Sequence, residues 1–252
     1  MVRESPLKAL QMALGVAVVC ALLVSFTAVK LRPYYIANLE AERAAQLETI
    51  LAALSGEIGD ISARDLEARV VELASGAYSE TVDPTIYDAR KAVNDPGSSV
   101  AIPADSDVAG IKRRAKHAVV YVVRDADADV RALILPVWGS GYQSALHGFL
   151  ALAADAGTVL ALKFYEQSDT PGLGARIQDP DWEAQWPGKR AFDETGALRI
   201  GVTRGSGADV DYQVDGISGA TRTSLGVDGL LRFWLGDFGF GPYLDRVRGG
   251  KG

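Results

Sequence analysis

One stretch near the C-terminus reads Asp215-Gly216-Ile217-Ser218-Gly219-Ala220-Thr221-Arg222-Thr223-Ser224. Before it, apolar and polar residues alternate from Val210 to Val214, and this alternation predicts a β-strand. After it, the apolar residues between Val227 and Trp234 recur at helical spacing, which predicts an amphipathic helix. The stretch is therefore a connection from a strand to a helix. We expect Thr223 or Ser224 to cap that helix, because short hydroxyl side chains favour this position.

The start of the predicted helix suits an anion. The first backbone N–H groups of a helix have no partner within it and carry the positive end of its dipole. Gly219 and Ala220 place no bulky side chain in front of these groups. The sequence thus predicts a phosphate site here, beside the hydroxyl of Thr221.

The same stretch resembles the flavin-attachment signature Asp-x-x-Ser/Thr-Gly-Ala-Thr of periplasmic FMN-binding domains, and every fixed position matches. The resemblance implies that Thr221 carries FMN through a phosphoester bond installed by an FAD-dependent flavin transferase. Asp215 is the signature acid. It either activates the Thr221 hydroxyl or fixes the turn through an Asx bond, and the two roles can coexist. The neighbours assigned to cofactor binding are Ser218, Gly219, Ala220, Thr223 and Ser224.

Four more segments resemble the C subunit of the sodium-translocating NADH:quinone reductase. Two of them are similar to flavin-pocket segments of that protein: Pro136–Tyr142, and Thr170–Gly174 with Glu166 and Asp169 before it. The run Ala17–Pro33 and the ending Gly239–Leu244 are similar to its N- and C-terminal parts. In one departure, Asp169 stands where we expect Glu, which keeps the charge but shortens the reach.

These segments supply the remaining candidates for the flavin pocket. The ring needs apolar walls, for which Trp138 and Leu173 are proposed, and glycines allow the backbone to approach it. The alternatives are a core tryptophan, a plain turn at residues 170–174 and a surface carboxylate at Glu166. The candidate residues are Trp138, Gly139, Gly141, Tyr142, Glu166, Thr170, Gly172, Leu173 and Gly174.

Composition excludes several classes of protein. The chain has 252 residues and a net charge of −6, and no basic stripe with interleaved aromatic residues occurs, so we expect no nucleic-acid partner. Its single cysteine, Cys20, excludes an internal disulfide, and two histidines are too few for a convincing metal site. Asp125, Asp127 and Asp129 imitate a calcium loop, but its later positions fail, so we interpret the run as a hairpin turn. The sequence has no recognisable dinucleotide-binding motif, so we expect another subunit to bind NADH if electrons originate there.

The N-terminal region predicts a membrane anchor. Residues 9–29 carry no charge and are long enough to span a bilayer as a helix, whereas a cleaved signal peptide has a shorter apolar core. Flanking basic residues are balanced and do not settle the orientation. The resemblance implies a cytoplasmic segment at 1–8 and a periplasmic domain at the bacterial inner membrane.

Beyond the anchor the pattern is that of an α+β protein. We expect a helical and irregular part at 30–110, including an amphipathic helix from Ile36 to Leu54 and a short helix from Asp65 to Ala74. An FMN-binding domain at 111–252 follows, with a mainly antiparallel sheet and flanking helices. Its predicted strands are Ala118–Arg124, Val130–Leu135, Thr158–Phe164 and Leu198–Thr203.

The resemblance implies a flavoprotein subunit that relays electrons within a sodium-translocating NADH:quinone reductase and is inactive alone. Its partners would be the lipid bilayer, the other subunits of the complex and the flavin transferase. One alternative is the FMN subunit of the related Rnf-type ferredoxin:NAD oxidoreductase. Another is an anchored assembly or structural domain without cofactor, and a third is a flavin-linked sensor, which would be expected to carry signalling domains.

Overall fold

The computed structural model describes residues 10–27, 30–31, 45, 48, 51–52, 65–204 and 209–250. The chain divides into two compact units, Met1–Glu48 and Thr49–Gly252. In the first unit, helix α1 (Leu10–Thr27) has a mean hydropathy of 2.2 and is long and apolar enough to cross a membrane. This agrees with the predicted single-pass anchor. Most of the predicted amphipathic helix from Ile36 to Leu54 lies outside the described residues.

The second unit is built on a six-stranded antiparallel sheet with helices packed against it. In chain order, its strands are β1 (Leu66–Glu72), β2 (Ala77–Tyr78), β3 (Ser99–Ala101), β4 (Arg113–Ala115), β5 (His117–Arg124), β6 (Val130–Ser140), β7 (Ala145–Ala153), β8 (Val159–Glu166), β9 (Gly201–Val202) and β10 (Gln213–Val214). The helices are α2 (Ala89–Val93), a 3₁₀ helix at Gly174–Gln178, α3 (Pro180–Glu183), α4 (Thr221–Leu235) and α5 (Gly241–Arg248).

The order of strands in the main sheet is β2-β1-β5-β6-β7-β8, and all neighbours are antiparallel. Strands β3 and β4 form an antiparallel pair, and β9 and β10 form a parallel pair of two residues each. The predicted α+β class with a mainly antiparallel sheet is confirmed.

Three of the predicted strands are confirmed, because β5, β6 and β8 contain them or nearly so. The predicted strands Leu198–Thr203 and Val210–Val214 are present only as the short pair β9 and β10. The acidic run between β5 and β6 is a turn as expected, since the Asp125 carboxylate accepts the N–H groups of Asp127 at 3.0 Å and Asp129 at 2.9 Å.

The predicted helix from Asp65 to Ala74 is wrong, because this segment is strand β1. Every residue of β1, from Leu66 to Glu72, is paired with a residue of β5. Pairing across the sheet therefore overrides a helix-favouring composition. Strand β7 was not predicted; it lies between β6 and β8 with mostly buried residues, so it lacks the alternation that marks a half-exposed strand.

Helix α4 packs on one face of the sheet and contributes Val227, Leu230, Leu231 and Trp234 to the main core. At two glycines, the helix lies very close to the backbone of neighbouring segments. A Cβ on Gly226 would stand 2.5 Å from the carbonyl oxygen of Ser140, and one on Gly229 would clash with the carbonyl of Val108. Because backbone atoms stand so close on this side, the position of α4 over the end of β6 is fixed.

Candidate functional site

The candidate attachment residue, Thr221, is the first residue of α4, and it is exposed. Just before it, Gly219 has a φ of +78°, a left-handed conformation that favours glycine. The Ala220 N–H donates to the carbonyl of Ile217 at 3.0 Å, and the Ser224 N–H donates to the carbonyl of Ala220 at 3.0 Å. The turn therefore leads directly into the helix, and the hydroxyl of Thr221 is displayed at its positive end.

The expected hydroxyl cap is wrong. Ala220 occupies the N-cap position, and its side chain has no polar group to bond the first turn. The Ser224 hydroxyl instead accepts the N–H of Ile217 at 3.0 Å, so it holds the preceding turn together. Thr223 points into the protein and is 1% exposed. Both hydroxyls predicted to bind phosphate are thus engaged inside the protein.

The partner of Thr223 is Asp169, a carboxylate that is only 4% exposed. The Thr223 hydroxyl donates to Asp169 Oδ2 at 2.6 Å. Asp169 also accepts the N–H groups of Gln143 at 2.9 Å and Tyr142 at 3.3 Å. We call these four residues the Asp169 cluster. Burial raises the pKa of Asp169, but the hydrogen bonds from Thr223 and the backbone outweigh it and leave the pKa below its usual value.

The segment Thr170–Gly174 contacts this cluster at both of its ends. The Thr170 hydroxyl accepts from the Gln143 side chain at 3.3 Å, and Gly172 has a φ of +76°. Gly174 is buried, and a Cβ there would stand 2.5 Å from the Thr223 hydroxyl oxygen. The lack of space beside the Asp169 cluster therefore requires a glycine at position 174. Contact between Gly174 and a flavin stays a prediction.

Two large apolar side chains are exposed beside the start of α4. Leu173 is 43% exposed, and its Cδ2 would lie 3.0 Å from a Cβ on Gly219. Tyr142 is 53% exposed, and the guanidinium of Arg222 lies 5.5 Å from its ring centroid. A mostly apolar surface with a few fixed polar groups is typical of cofactor sites.

The acid of the signature, Asp215, is held through its backbone. Its N–H donates to the side-chain oxygen of Gln185 at 3.2 Å, and its carbonyl accepts the indole N–H of Trp182 at 3.0 Å. The residue is half-buried between β10 and α4. These two backbone contacts help to hold the turn, and the chemical role and the Asx role of the Asp215 carboxylate both stay predictions.

Two candidates form a separate group. Trp138 is half-buried and stacks on His147, with ring centroids 6.0 Å apart, while its carbonyl accepts the Trp234 indole N–H at 2.6 Å. Glu166 pairs with Arg90 at 2.7 Å, and this ion pair lowers the pKa of Glu166. The structure therefore gives Trp138 and Glu166 protein partners of their own, and their predicted flavin contacts stay untested.

Two other pocket glycines have internal neighbours as well. A Cβ on Gly139 would stand 3.2 Å from Leu230, and one on Gly141 would stand 2.8 Å from Leu146. Ser218 is exposed in the turn before Thr221. Sequence reasoning underrated Asp169, whose hydroxyl partner lies 54 positions away in the chain.

The chain matches a family of flavin-binding domains. Residues 141–236 match the FMN-binding domain family, a range that contains Thr221 and the Asp169 cluster. Among curated relatives, the C subunit of the Na(+)-translocating NADH-quinone reductase of Vibrio parahaemolyticus is 39% identical, with 98% of this chain and 97% of the relative covered. The corresponding protein of Pseudomonas aeruginosa is 41% identical, with 99% and 98% covered.

Solved structures agree with this assignment. The crystal structure of Shewanella oneidensis NqrC has a TM-score of 0.73 and 27% identity, covering 82% of this chain and 99% of that chain. The C subunit of the Na(+)-translocating NADH-quinone reductase from Parabacteroides distasonis has a TM-score of 0.53 and 25% identity, covering 78% and 88%. The chain belongs to the NqrC family, the C subunits of the Na(+)-translocating NADH-quinone reductase.

Proposed function

We propose that this chain is the FMN-carrying electron-transfer subunit of a Na⁺-translocating NADH:quinone reductase, and that FMN is joined covalently to Thr221. The observation that carries the proposal is the exposed hydroxyl of Thr221 at the first position of α4, within a complete attachment signature. FMN supplies one- and two-electron chemistry, and the protein supplies binding, orientation and electrostatics.

The residues present fit this cofactor. The first turn of α4 offers backbone N–H groups to a phosphate, and no cap side chain competes for them. Leu173 and Tyr142 offer exposed apolar surface on which a flat ring could lie. Because the hydroxyls of Thr223 and Ser224 and the N–H of Ala220 are engaged inside the protein, we assign the phosphate to the backbone N–H groups of Thr221–Thr223.

Attachment requires a phosphoryl donor. In the proposed reaction, the flavin transferase takes FAD as donor and joins Thr221 Oγ to the phosphorus of its FMN half. The bond from that phosphorus to AMP breaks, AMP leaves, and the hydroxyl proton passes to a base. An unactivated hydroxyl is a poor nucleophile, so a carboxylate such as Asp215 would assist at this step.

Location and partners belong to the same proposal. Helix α1 anchors the chain in the bacterial inner membrane, and the flavin domain faces the periplasm. The relatives are named for a quinone reductase, which favours this complex over an Rnf-type oxidoreductase. The other subunits of the complex are the electron donors and acceptors. The domain division proposed from the sequence is a cytoplasmic segment at 1–8, an anchor at 9–29, a helical and irregular N-terminal part of the periplasmic region at 30–110 and the FMN-binding domain at 111–252.

The test is the intact mass of the full chain purified from its native host. We expect an added mass of one FMN less one water, which Thr221→Ala removes. Thr195→Ala is the matched control, because Thr195 is another exposed threonine and its hydroxyl donates to Asp193 at 2.6 Å. This variant should keep the cofactor. An unmodified wild-type chain would refute covalent attachment and favour an assembly or structural domain.

A further inference from the structure

The Asp169 cluster joins three parts of the chain that are distant in sequence. Asp169 follows β8, while Tyr142 and Gln143 lie in the turn between β6 and β7. Thr223 lies in the first turn of α4, two residues after the candidate attachment residue. One buried carboxylate therefore bonds the turn that carries the exposed Tyr142 ring to the helix that carries Thr221.

The donors of this cluster suit an ionised carboxylate. Each is an N–H or O–H group, and hydrogen bonds to a charged acceptor are shorter and stronger than those between neutral groups. The 2.6 Å bond from the Thr223 hydroxyl fits that description. An amide side chain has only one acceptor oxygen, so an asparagine would present N–H groups to one of these donors.

The surroundings leave little freedom for another arrangement. Thr223 and Asp169 are 1% and 4% exposed, so water cannot readily replace either partner. Gly174 packs against both, and a Cβ there would come within 2.7 Å of Asp169 Oδ2. Gly174 therefore packs close enough to fill the space around the short side chain of Asp169.

We propose that Asp169 is a positioning residue for cofactor attachment: by bonding Thr223, Gln143 and Tyr142, it orients the start of α4 so that the Thr221 hydroxyl meets the phosphoryl donor. The inference rests on the proposed function of Thr221. Asp169 acts through the backbone and through Thr223. Asp169 affects the rate of attachment, because the orientation of the nucleophile sets the activation barrier of phosphoryl transfer. It has less effect on how tightly the transferase binds the chain.

The experiment measures FAD-dependent gain of mass by the full chain in detergent, with a purified flavin transferase. Asp169→Asn should lower kcat for the transfer by about 10- to 100-fold, with little change in KM for the chain. Asp169→Glu keeps the charge and should recover part of the rate. Thr223→Val should also slow transfer, and the double variant should be no slower than Asp169→Asn alone, because the two residues act as one unit.

Asp155→Asn is the matched control. Asp155 accepts two backbone N–H groups, from Gly157 and Thr158, and a Thr158 hydroxyl at 2.6 Å, a donor set like that of Asp169. It lies in the turn between β7 and β8, at the far end of β7 from Tyr142. Asp155 is exposed, whereas Asp169 is buried, so the transfer rate of each variant is judged against its own stability. Loss of orientation would slow only Asp169→Asn. Thermal unfolding followed by circular dichroism gives the stability of each.

Two results would overturn the inference while leaving the proposed function intact: transfer to Asp169→Asn at the wild-type rate, or equal slowing by Asp155→Asn at equal stability. If Asp169→Asn does not fold, Thr223→Val decides, since it removes one donor and keeps the carboxylate with its two N–H partners. Wild-type rates in that variant would likewise count against the inference. A wild-type chain that gains no mass would refute the proposed function and the inference together.

Discussion

Replacing Gly174 by alanine should destabilise the flavin domain sharply. The added Cβ would stand 2.5 Å from the Thr223 hydroxyl oxygen and 2.7 Å from Asp169 Oδ2. Overpacking of this kind costs about 1–3 kcal/mol, and loss of a hydrogen bond to a charged group costs about 1.5–3 kcal/mol more. With about 4 kcal/mol lost in total, Tm should fall by about 8–16 °C for a unit of this size.

Gly172→Ala is the control within the same segment. Nothing lies within 4 Å of a Cβ at this position, so the only cost is the left-handed φ of +76°. That conformation costs an alanine about 1–2 kcal/mol, which lowers Tm by about 2–8 °C. Both variants are measured by thermal unfolding of the full chain in detergent, followed by circular dichroism. Gly174→Ala melting no lower than Gly172→Ala would refute the reasoning, because the segment would then yield without disturbing the Asp169 cluster.

Further predictions concern charge and location. Asp215→Asn should lower the fraction of chains carrying FMN, measured by intact mass, with Tm unchanged; normal loading would exclude an activating role. The pKa of Asp169 lies below its usual value, so its contribution to stability is present above about pH 4 and is lost as pH falls through the folded pKa. Denaturant titrations should therefore show the difference in unfolding free energy between wild type and Asp169→Asn shrinking at acid pH, and a constant difference would contradict this. Lys163→Met should cost about 1–3 kcal/mol at pH 7, because it leaves the half-buried Glu183 carboxylate without its ion pair. Partial burial already raises the pKa of Glu183, so the loss of stability should be smaller at pH 4. Alkaline phosphatase fused after residue 252 should be active in intact cells, and an inactive fusion would place the domain in the cytoplasm.

Much of the sheet could be predicted from the sequence because its strands carry local patterns. In β5, the residues from His117 to Val122 alternate between half-buried and buried, and valines occupy four of the eight positions of the strand. Strand β1 could not be predicted in this way, because Leu66, Glu67, Ala68 and Arg69 are good helix formers. Its structure is determined by pairing with β5, a contact between residues about 50 positions apart.

The candidate attachment residue could be proposed from the sequence, whereas the contacts around it could not. Thr221 stands in a short contiguous signature between a strand and a helix, so every part of the pattern is local. The hydroxyl of Thr223 looked like a cap for the same reason, since local spacing favours that role. Its actual partner, Asp169, is brought to it only by the fold, and a single sequence carries no signal for such a pair.

The glycine contacts of α4 have a consequence for how this protein tolerates change. Gly226 and Gly229 face backbone carbonyls of Ser140 and Val108 at distances that admit no methyl group. Any larger residue would displace the whole helix from the sheet, and Thr221 would move with it. A mutational screen scored by flavin fluorescence would therefore identify these two positions as strongly as Thr221, the candidate attachment residue. Residues along much of α4 would therefore count as part of the functional site when the site is defined by the effect of mutations on flavin content, although contact distances alone would leave them out.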